Sequence, residues 1–275
     1  MADEIPLEEQ IQYSERDDVG WITINRPGAG NALTPPCRDR IRDLVEQANA
    51  AYRVRALVIT ASGEKLFCTG ADLSYTYPNE RPADMPDRVV GDARRMMLRG
   101  QYTLFPAILD SDLPIIASVN GTAAGMGAHL AFACDLVIAA DHTKFVEVFA
   151  RRGLVIDALG AYLLPRMIPM HKVKELAFFG DDLPVAEAHS LGLVNKVVPK
   201  ESLIDETTTW AQRLATGPTK AIGLSKWLLN QSLDVDRNTM IHNEAWAVEL
   251  NTYSGDSEEG IASFRERRNP SWRGW

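Results

Sequence analysis

The chain has 275 residues, 45% of them hydrophobic, so it can bury one full core, and its net charge of −8 disfavours non-specific binding to nucleic acid. Its acidic start, MADEIPLEEQ, lacks the apolar segment of a signal peptide, and no uncharged apolar run is long enough to span a bilayer. We therefore expect no membrane contact. The three cysteines are scattered, which predicts reduced thiols in a cytoplasmic protein, and the five histidines lack metal-ligand spacing, which predicts no metal site.

The first part of the chain predicts a strand, a helix and a second strand. Residues 19–25 form an apolar run typical of a strand, and Thr34 with Pro35 is typical of a helix cap and first helical position. Apolar residues then recur at helical spacing along one face. Residues 55–61 predict the next buried strand, and residues 92–109 predict a longer helix.

The central stretch, residues 114–141, combines a strand, a glycine turn, a short helix over residues 128–133 and another strand. Glycines let a backbone approach a ligand closely, and the helix start offers unpaired N–H groups and a positive dipole end. The stretch therefore predicts a site for an oxyanion. A dinucleotide-binding turn is the rival interpretation, but Leu130 stands where its third glycine would be.

Two ionisable residues near this stretch each have two interpretations. Asp157, in the G-L-V-I-D-A-L-G of residues 153–160, precedes a helical pattern, so it could cap that helix or serve as a general base. His129 lies on the first turn of an apolar helix, so it could be a core residue bonded to a backbone carbonyl or a proton-shuttling group.

The last part of the chain is mainly helical. Residues 185–198 predict a helix, a turn and a strand, and four helical segments follow: 203–214, 220–229, 237–250 and 257–268. We expect an α/β core over residues 1–200 and a helical region over residues 201–275. No internal repeat interrupts this arrangement.

Four strings resemble the enoyl-CoA hydratase/isomerase (crotonase) family. They are N-R-P-x-x-x-N-A-L at residues 25–33, K-L-F-C-T-G-A-D-L at 65–73, V-N-G-x-A-A-G-x-G at 119–127 and G-L-x-x-D at 153–157. The last string is closest to the double-bond isomerase members, including the ring-epoxide isomerases of phenylacetyl-CoA breakdown. The resemblance implies a spiral of β-β-α turns whose C-terminal helices assemble subunits into a homotrimer or hexamer.

The resemblance also implies where an acyl-CoA thioester would bind. The family holds the thioester oxygen between two backbone N–H groups, which match those of Ala71 and Met126. The residues that match CoA contacts are Lys65, Ala71, Asp72, Leu73 and Phe264. We expect an acyl pocket formed by Tyr75, Met97, Phe149 and Ile156. No cofactor is expected, because CoA is part of the substrate.

The paired carboxylates of the family's hydratases are missing. His129 and Phe149 stand at the two matching positions, whereas Asp157 matches the aspartate of isomerase members. The resemblance therefore implies an enoyl-CoA double-bond isomerase of fatty-acid or aromatic acyl-CoA breakdown, with Asp157 and His129 as its catalytic candidates. The alternatives are hydration by His129 and Asp157, or a non-catalytic relative that binds acyl-CoA or RNA, although the net charge argues against RNA.

Overall fold

The structure, a computed structural model, describes residues 5–76, 84–86 and 89–275. Within these residues the strands are β1 (Ile11–Arg16), β2 (Val19–Ile24), β3 (Ala56–Ala61), β4 (Leu66–Cys68), β5 (Ile115–Val119), β6 (Thr122–Ala124), β7 (Leu136–Ala140), β8 (Lys144–Val146), β9 (Asp182–Pro184) and β10 (Lys196–Val198). They form a six-stranded sheet, β1-β2-β3-β5-β7-β10, and a four-stranded sheet, β4-β6-β8-β9.

The described helices are α1 (Leu7–Gln10), α2 (Pro35–Ala50), α3 (Asp92–Met96), α4 (Tyr102–Leu109), α5 (Met126–Ala133), α6 (Gly160–Met167), α7 (Met170–Phe179), α8 (Val185–Ser190), α9 (Leu203–Ala215), α10 (Thr219–Gln231), α11 (Arg237–Thr252) and α12 (Gly255–Glu266). Single turns of 3-10 helix cover Pro27–Ala29, Ala150–Arg152 and Lys200–Ser202, and a π-helical turn covers Met97–Gln101. None of these helices combines the length and apolar content that crossing a bilayer requires.

Consecutive strands alternate between the two sheets, which gives the fold its spiral form. β3, β5 and β7 lie in the six-stranded sheet, and each is followed by a strand of the four-stranded sheet: β4, β6 and β8. The pairs β1–β2 and β8–β9 are antiparallel, and all other neighbours within the described sheets are parallel. The predicted α/β spiral with a helical C-terminal region is therefore confirmed.

The six-stranded sheet separates two hydrophobic clusters. Successive side chains of a strand point to opposite faces, so Leu57 and Ile59 of β3 join the larger cluster, while Val58 joins the smaller one. Leu203 and Ala211 of α9 complete the smaller cluster. Helix α9 therefore packs directly on the six-stranded sheet. The division of the chain into an α/β core and a helical region at residue 200 stays a prediction.

The predicted N-terminal elements are present, with one correction. The hydroxyl of Thr34 accepts a hydrogen bond from the N–H of Cys37, so α2 begins at Pro35 as the capping pattern indicated. The single helix predicted over residues 92–109 is wrong in its middle, because a π-helical turn separates α3 from α4. Gly100, a poor helix former, lies within this turn, so propensity marks a weak point in the helix but does not specify a π-helical turn.

Candidate active site

Two glycines allow the backbone before and within α5 to touch the backbone around β4. A Cβ atom on Gly121 would lie 2.4 Å from the carbonyl oxygen of Lys65. A Cβ atom on Gly127 would lie 2.1 Å from the carbonyl oxygen of Cys68. Both distances are far below van der Waals contact, and the obstructing atoms belong to the backbone. These positions therefore require glycine, and the two segments meet because of it.

The backbone N–H groups of Ala71 and Met126 lie on these touching segments. Gly70 has φ +97°, and a Cβ built on it would lie 3.4 Å from the nitrogen of Met126. Leu33 bonds to the carbonyl of Gly70 and to the N–H of Asp72, so this bridge does not use the N–H of Ala71. Met126 is the first residue of α5, where an N–H has no partner within the helix. Two N–H groups and a helix N-terminus thus come together.

His129, on the next turn of α5, is bonded to a buried carboxylate. Its Nε2 lies 3.1 and 3.0 Å from the two carboxylate oxygens of Glu147, which follows β8 and is 4% exposed. Because an ionised carboxylate only accepts hydrogen bonds, Nε2 carries the hydrogen and donates it. Nδ1 is buried and has no hydrogen-bond partner among the described residues. His129 is therefore not the carbonyl-bonded core histidine that its position also allowed.

The His129 ring is closed in by two further residues. The ring of Phe149 stacks on it with centroids 5.6 Å apart and planes 15° apart. Gly160, at the start of α6, lies so close that a Cβ on it would come within 2.1 Å of the ring carbon Cε1. The exposed fraction of His129 is 0%. Contact between His129 and a substrate would thus require this packing to open.

Asp157 does not cap the helix that follows it, so the capping interpretation is wrong. The N-cap of α6 is Leu159, and no side chain makes a capping hydrogen bond there. Ala158 and Leu159 have φ of 49° and 64°, a left-handed conformation that costs free energy in residues other than glycine. This strained pair turns the chain between Asp157 and α6, and it leaves the carboxylate free of the helix end.

The Asp157 carboxylate is half-buried and is held through one oxygen. The side-chain amide of Gln101 donates a hydrogen bond of 3.0 Å to its Oδ1. Burial raises the pKa of Asp157 above its ordinary value. The Gln101 hydrogen bond and His129 lower this pKa and the Glu147 charge raises it, but the net shift is upward. A carboxylate with a raised pKa is suited to accepting a proton from carbon and returning it.

The other predicted site residues lie at varied depths. Asp72 pairs with Arg26 at 3.0 Å, and Tyr75 lines a cavity of about 790 Å³ beside Arg26 and Thr34. Lys65 and Leu73 are exposed, Met97 and Ile156 are partly buried, and Phe264 is 84% exposed on α12. His129, Phe149 and Asp157 are brought into one cluster, whereas Phe264 lies outside it.

Glu147 and Gln101 belong to the site but were missed in the sequence. Glu147 alternates with Phe145 and Phe149 in F-V-E-V-F, so the strand period of two could have placed it on the same face. Gln101 is a polar residue four positions from both Met97 and Phe105, which would have marked it as a polar group on an apolar helix stripe. Neither signal names the partner, because both contacts are long-range.

Comparison with known proteins identifies the family. The model of the enoyl-CoA hydratase/isomerase family matches residues 14–274. The 1,2-epoxyphenylacetyl-CoA isomerase of Escherichia coli (strain K12) is 33% identical over 256 residues, covering 93% of this chain and 95% of that protein. The crotonyl-CoA hydratase of Syntrophomonas wolfei is 33% identical over 264 residues, covering 96% and 98%. The crystal structure of an enoyl-CoA hydratase from Bacillus anthracis superposes with TM-score 0.85 at 29% identity, covering 97% and 100%. The chain belongs to the enoyl-CoA hydratase/isomerase family.

Proposed function

We propose that this member of the family is an acyl-CoA double-bond isomerase that works through a thioester enolate. A proton next to, or conjugated with, a thioester leaves carbon only if the oxyanion that forms is stabilised. The N–H groups of Ala71 and Met126 would bind that oxygen, and each such donor contributes about 2.7–4 kcal/mol in oxyanion holes. Asp157 would take the proton from one carbon and return it to another.

The observation that carries this proposal is the contrast between Asp157 and the two positions of the hydratase carboxylates. Phe149 offers no group that could hold a water molecule, and its ring covers His129. His129 is engaged with Glu147 and has no exposed surface. Asp157 is the half-buried carboxylate with one oxygen left free of the Gln101 hydrogen bond. This arrangement favours proton transfer at carbon over activation of water.

Hydration is the second candidate, and the His129–Glu147 pair is the observation that favours it. A histidine that donates from one ring nitrogen to a carboxylate keeps its other nitrogen as a base, as in hydrolase triads. The unpartnered Nδ1 of His129 would be that base, with Asp157 as the acid. The similarity to a crotonyl-CoA hydratase supports hydration, just as the similarity to 1,2-epoxyphenylacetyl-CoA isomerase supports isomerisation.

We also infer how the substrate would lie. The cavity beside Tyr75 has Arg26 on its wall, and Arg26 pairs with Asp72; we therefore place CoA along this cavity. We assign Lys65, Leu73 and Phe264 to CoA contacts, and Tyr75, Met97, Phe149 and Ile156 to the acyl pocket. These assignments follow from the family pattern and stay proposals for this chain.

We further infer a homotrimer or hexamer. The C-terminal helices carry large apolar side chains that are solvent-exposed in the single chain: Leu229, Ile241, Trp246, Val248, Ile261 and Phe264. Exposed apolar groups in such number are typical of an interaction surface. An assembly would also cover Phe264 and could bring it to a CoA site of another subunit.

A panel of acyl-CoA thioesters tests the proposed reaction. With linear 2-enoyl, linear 3-enoyl and aromatic ring acyl groups, we expect products of unchanged mass and moved double bonds, measured by mass spectrometry and NMR. We expect weak or no hydration of crotonyl-CoA, because the two hydratase positions hold His129 and Phe149 in place of carboxylates. Efficient formation of the 3-hydroxy product, with kcat/KM around 10⁶ M⁻¹s⁻¹ or above, would refute the isomerase proposal.

A further inference from the structure

The π-helical turn between α3 and α4 carries a residue of the candidate active site. The N–H of Tyr102 donates to the carbonyl of Met97, five residues earlier, instead of the usual four. Such wide turns are rare, and they occur frequently at functional sites because they change the direction of the side chains that follow. Here the last residue of the turn is Gln101, whose side chain reaches Asp157 across the site.

Helix α2 holds this turn in place. The guanidinium of Arg38 lies against Gly100, where a Cβ would come within 2.6 Å of its Nη1. The hydroxyl of Thr103 donates to the carbonyl of Gly100 at 2.7 Å, and Arg42 donates to that hydroxyl at 3.1 Å. These contacts tie the carbonyl and the backbone of Gly100 to α2, next to Gln101 at the end of the turn.

The hydrogen bond between Gln101 and an ionised Asp157 can run in only one direction, from the amide to the carboxylate. An ionised carboxylate only accepts, so the amide must present its NH2 group to Oδ1. Gln101 is 8% exposed and is thus fixed by its surroundings. Among the described residues, no side chain or backbone group donates to Oδ2 of Asp157. The two oxygens of the carboxylate are therefore inequivalent.

The groups around Asp157 differ in what they can do to it. The Glu147 charge raises the pKa of Asp157 and His129 opposes that rise, while burial, and then the Asp157 charge, raises the pKa of Tyr102. Gln101 is the neutral member of this set and makes the direct contact. It can orient the carboxylate without adding a charge to the site.

From these contacts we propose that Gln101 is a positioning residue for Asp157: the π-helical turn aims its amide at Oδ1 and thereby reserves Oδ2 for proton transfer to and from the acyl-CoA. The inference rests on the proposed function, because it assigns a role to a neighbour of the proposed base. It adds that Arg38 and Arg42 of α2, by holding the π-helical turn, help to set the orientation of the Asp157 carboxylate.

The test uses two variants that preserve the shape of the side chain. Gln101→Met keeps length and helix propensity but cannot donate. We expect kcat to fall about 10- to 100-fold, the usual effect of a misplaced reacting group, with KM within twofold. Losing a donor to the ionised carboxylate raises the pKa of Asp157, so the acid limb of the kcat–pH profile should move up by about one unit.

Gln101→Glu is the second variant, and it replaces the donor with a carboxyl group. Two carboxylates in contact raise one another's pKa, so its acid limb should move further up than that of Gln101→Met. Arg99→Gln, on the exposed side of the same turn, is the matched control and should keep both kcat and the profile. Loss of stability alone would lower the melting temperature without moving the acid limb.

The outcome separates this inference from the proposed function. If Asp157→Asn abolishes turnover while both folded Gln101 variants keep kcat within twofold and an unmoved acid limb, the role of Gln101 is overturned and the base stands. A raised KM with unchanged kcat would also overturn it, because Gln101 would then contact substrate. If Asp157→Asn itself keeps full activity, the proposed function is overturned, and the role of Gln101 is overturned with it.

Discussion

Asp157→Asn is expected to lower kcat by about 10²–10⁴, the usual contribution of a general base, while acyl-CoA affinity and melting temperature stay near the wild-type values. Asparagine keeps the size of the side chain and can still accept the hydrogen bond from Gln101, but it cannot take a proton from carbon. Because Asp157 caps no helix, its replacement has no capping free energy to lose. Turnover on the active thioester and thermal unfolding measure the two effects separately.

The pH profile of the wild-type enzyme provides an independent check. Burial raises the pKa of Asp157, so turnover should fall as the pH drops through a value above the ordinary aspartate pKa of about 3.9. Asp181→Asn, at an exposed aspartate 3.4 Å from Arg151, is the matched control and should keep the wild-type profile. Near-wild-type turnover of Asp157→Asn would leave the base unassigned.

Gly127→Ala is expected to lower kcat by at least about 10²-fold, the effect of losing one oxyanion donor, and to destabilise the fold. Its Cβ would lie 2.1 Å from the carbonyl oxygen of Cys68, so α5 and the end of β4 must separate. That separation moves the N–H of Met126 away from the N–H of Ala71. Steady-state kinetics and urea unfolding on the same preparation measure both consequences.

Gly255→Ala is the matched control for this substitution. Gly255 begins α12, and the nearest atom to its added Cβ would be the carbonyl oxygen of Trp275 at 3.4 Å, an ordinary contact. Alanine also favours a helix over glycine. We expect wild-type turnover and stability from it. Full activity of Gly127→Ala would contradict the role of the close backbone approach in the oxyanion site.

The elements that the sequence predicts well are those determined locally. The start of α2 follows from Thr34, whose hydroxyl caps the helix, and from Pro35, whose fixed φ suits the first helical position. The glycine turn before α5 follows in the same way, because Gly125 has a positive φ and Gly127 touches backbone. Such requirements concern a few neighbouring residues, so the sequence pattern records them.

The parts that the sequence could not predict depend on distant contacts. The capping interpretation of Asp157 was reasonable from neighbouring residues, and only the left-handed pair Ala158 and Leu159 shows that the helix begins elsewhere. The contact between His129 and Glu147 joins α5 to the end of β8. The contact between Gln101 and Asp157 joins residues separated by 56 positions, and Gly100 in the turn before Gln101 signals a weak helix without specifying a π-helical turn.

A crystal structure with an unreactive acyl-CoA analogue tests the central claim most directly, because the claim is geometric. We expect the thioester oxygen within about 3.2 Å of the nitrogens of both Ala71 and Met126. We also expect Oδ2 of Asp157 within about 3.5 Å of the carbon that loses the proton. A thioester oxygen beyond hydrogen-bond reach of both nitrogens, or an acyl chain bound away from Asp157, would contradict the account.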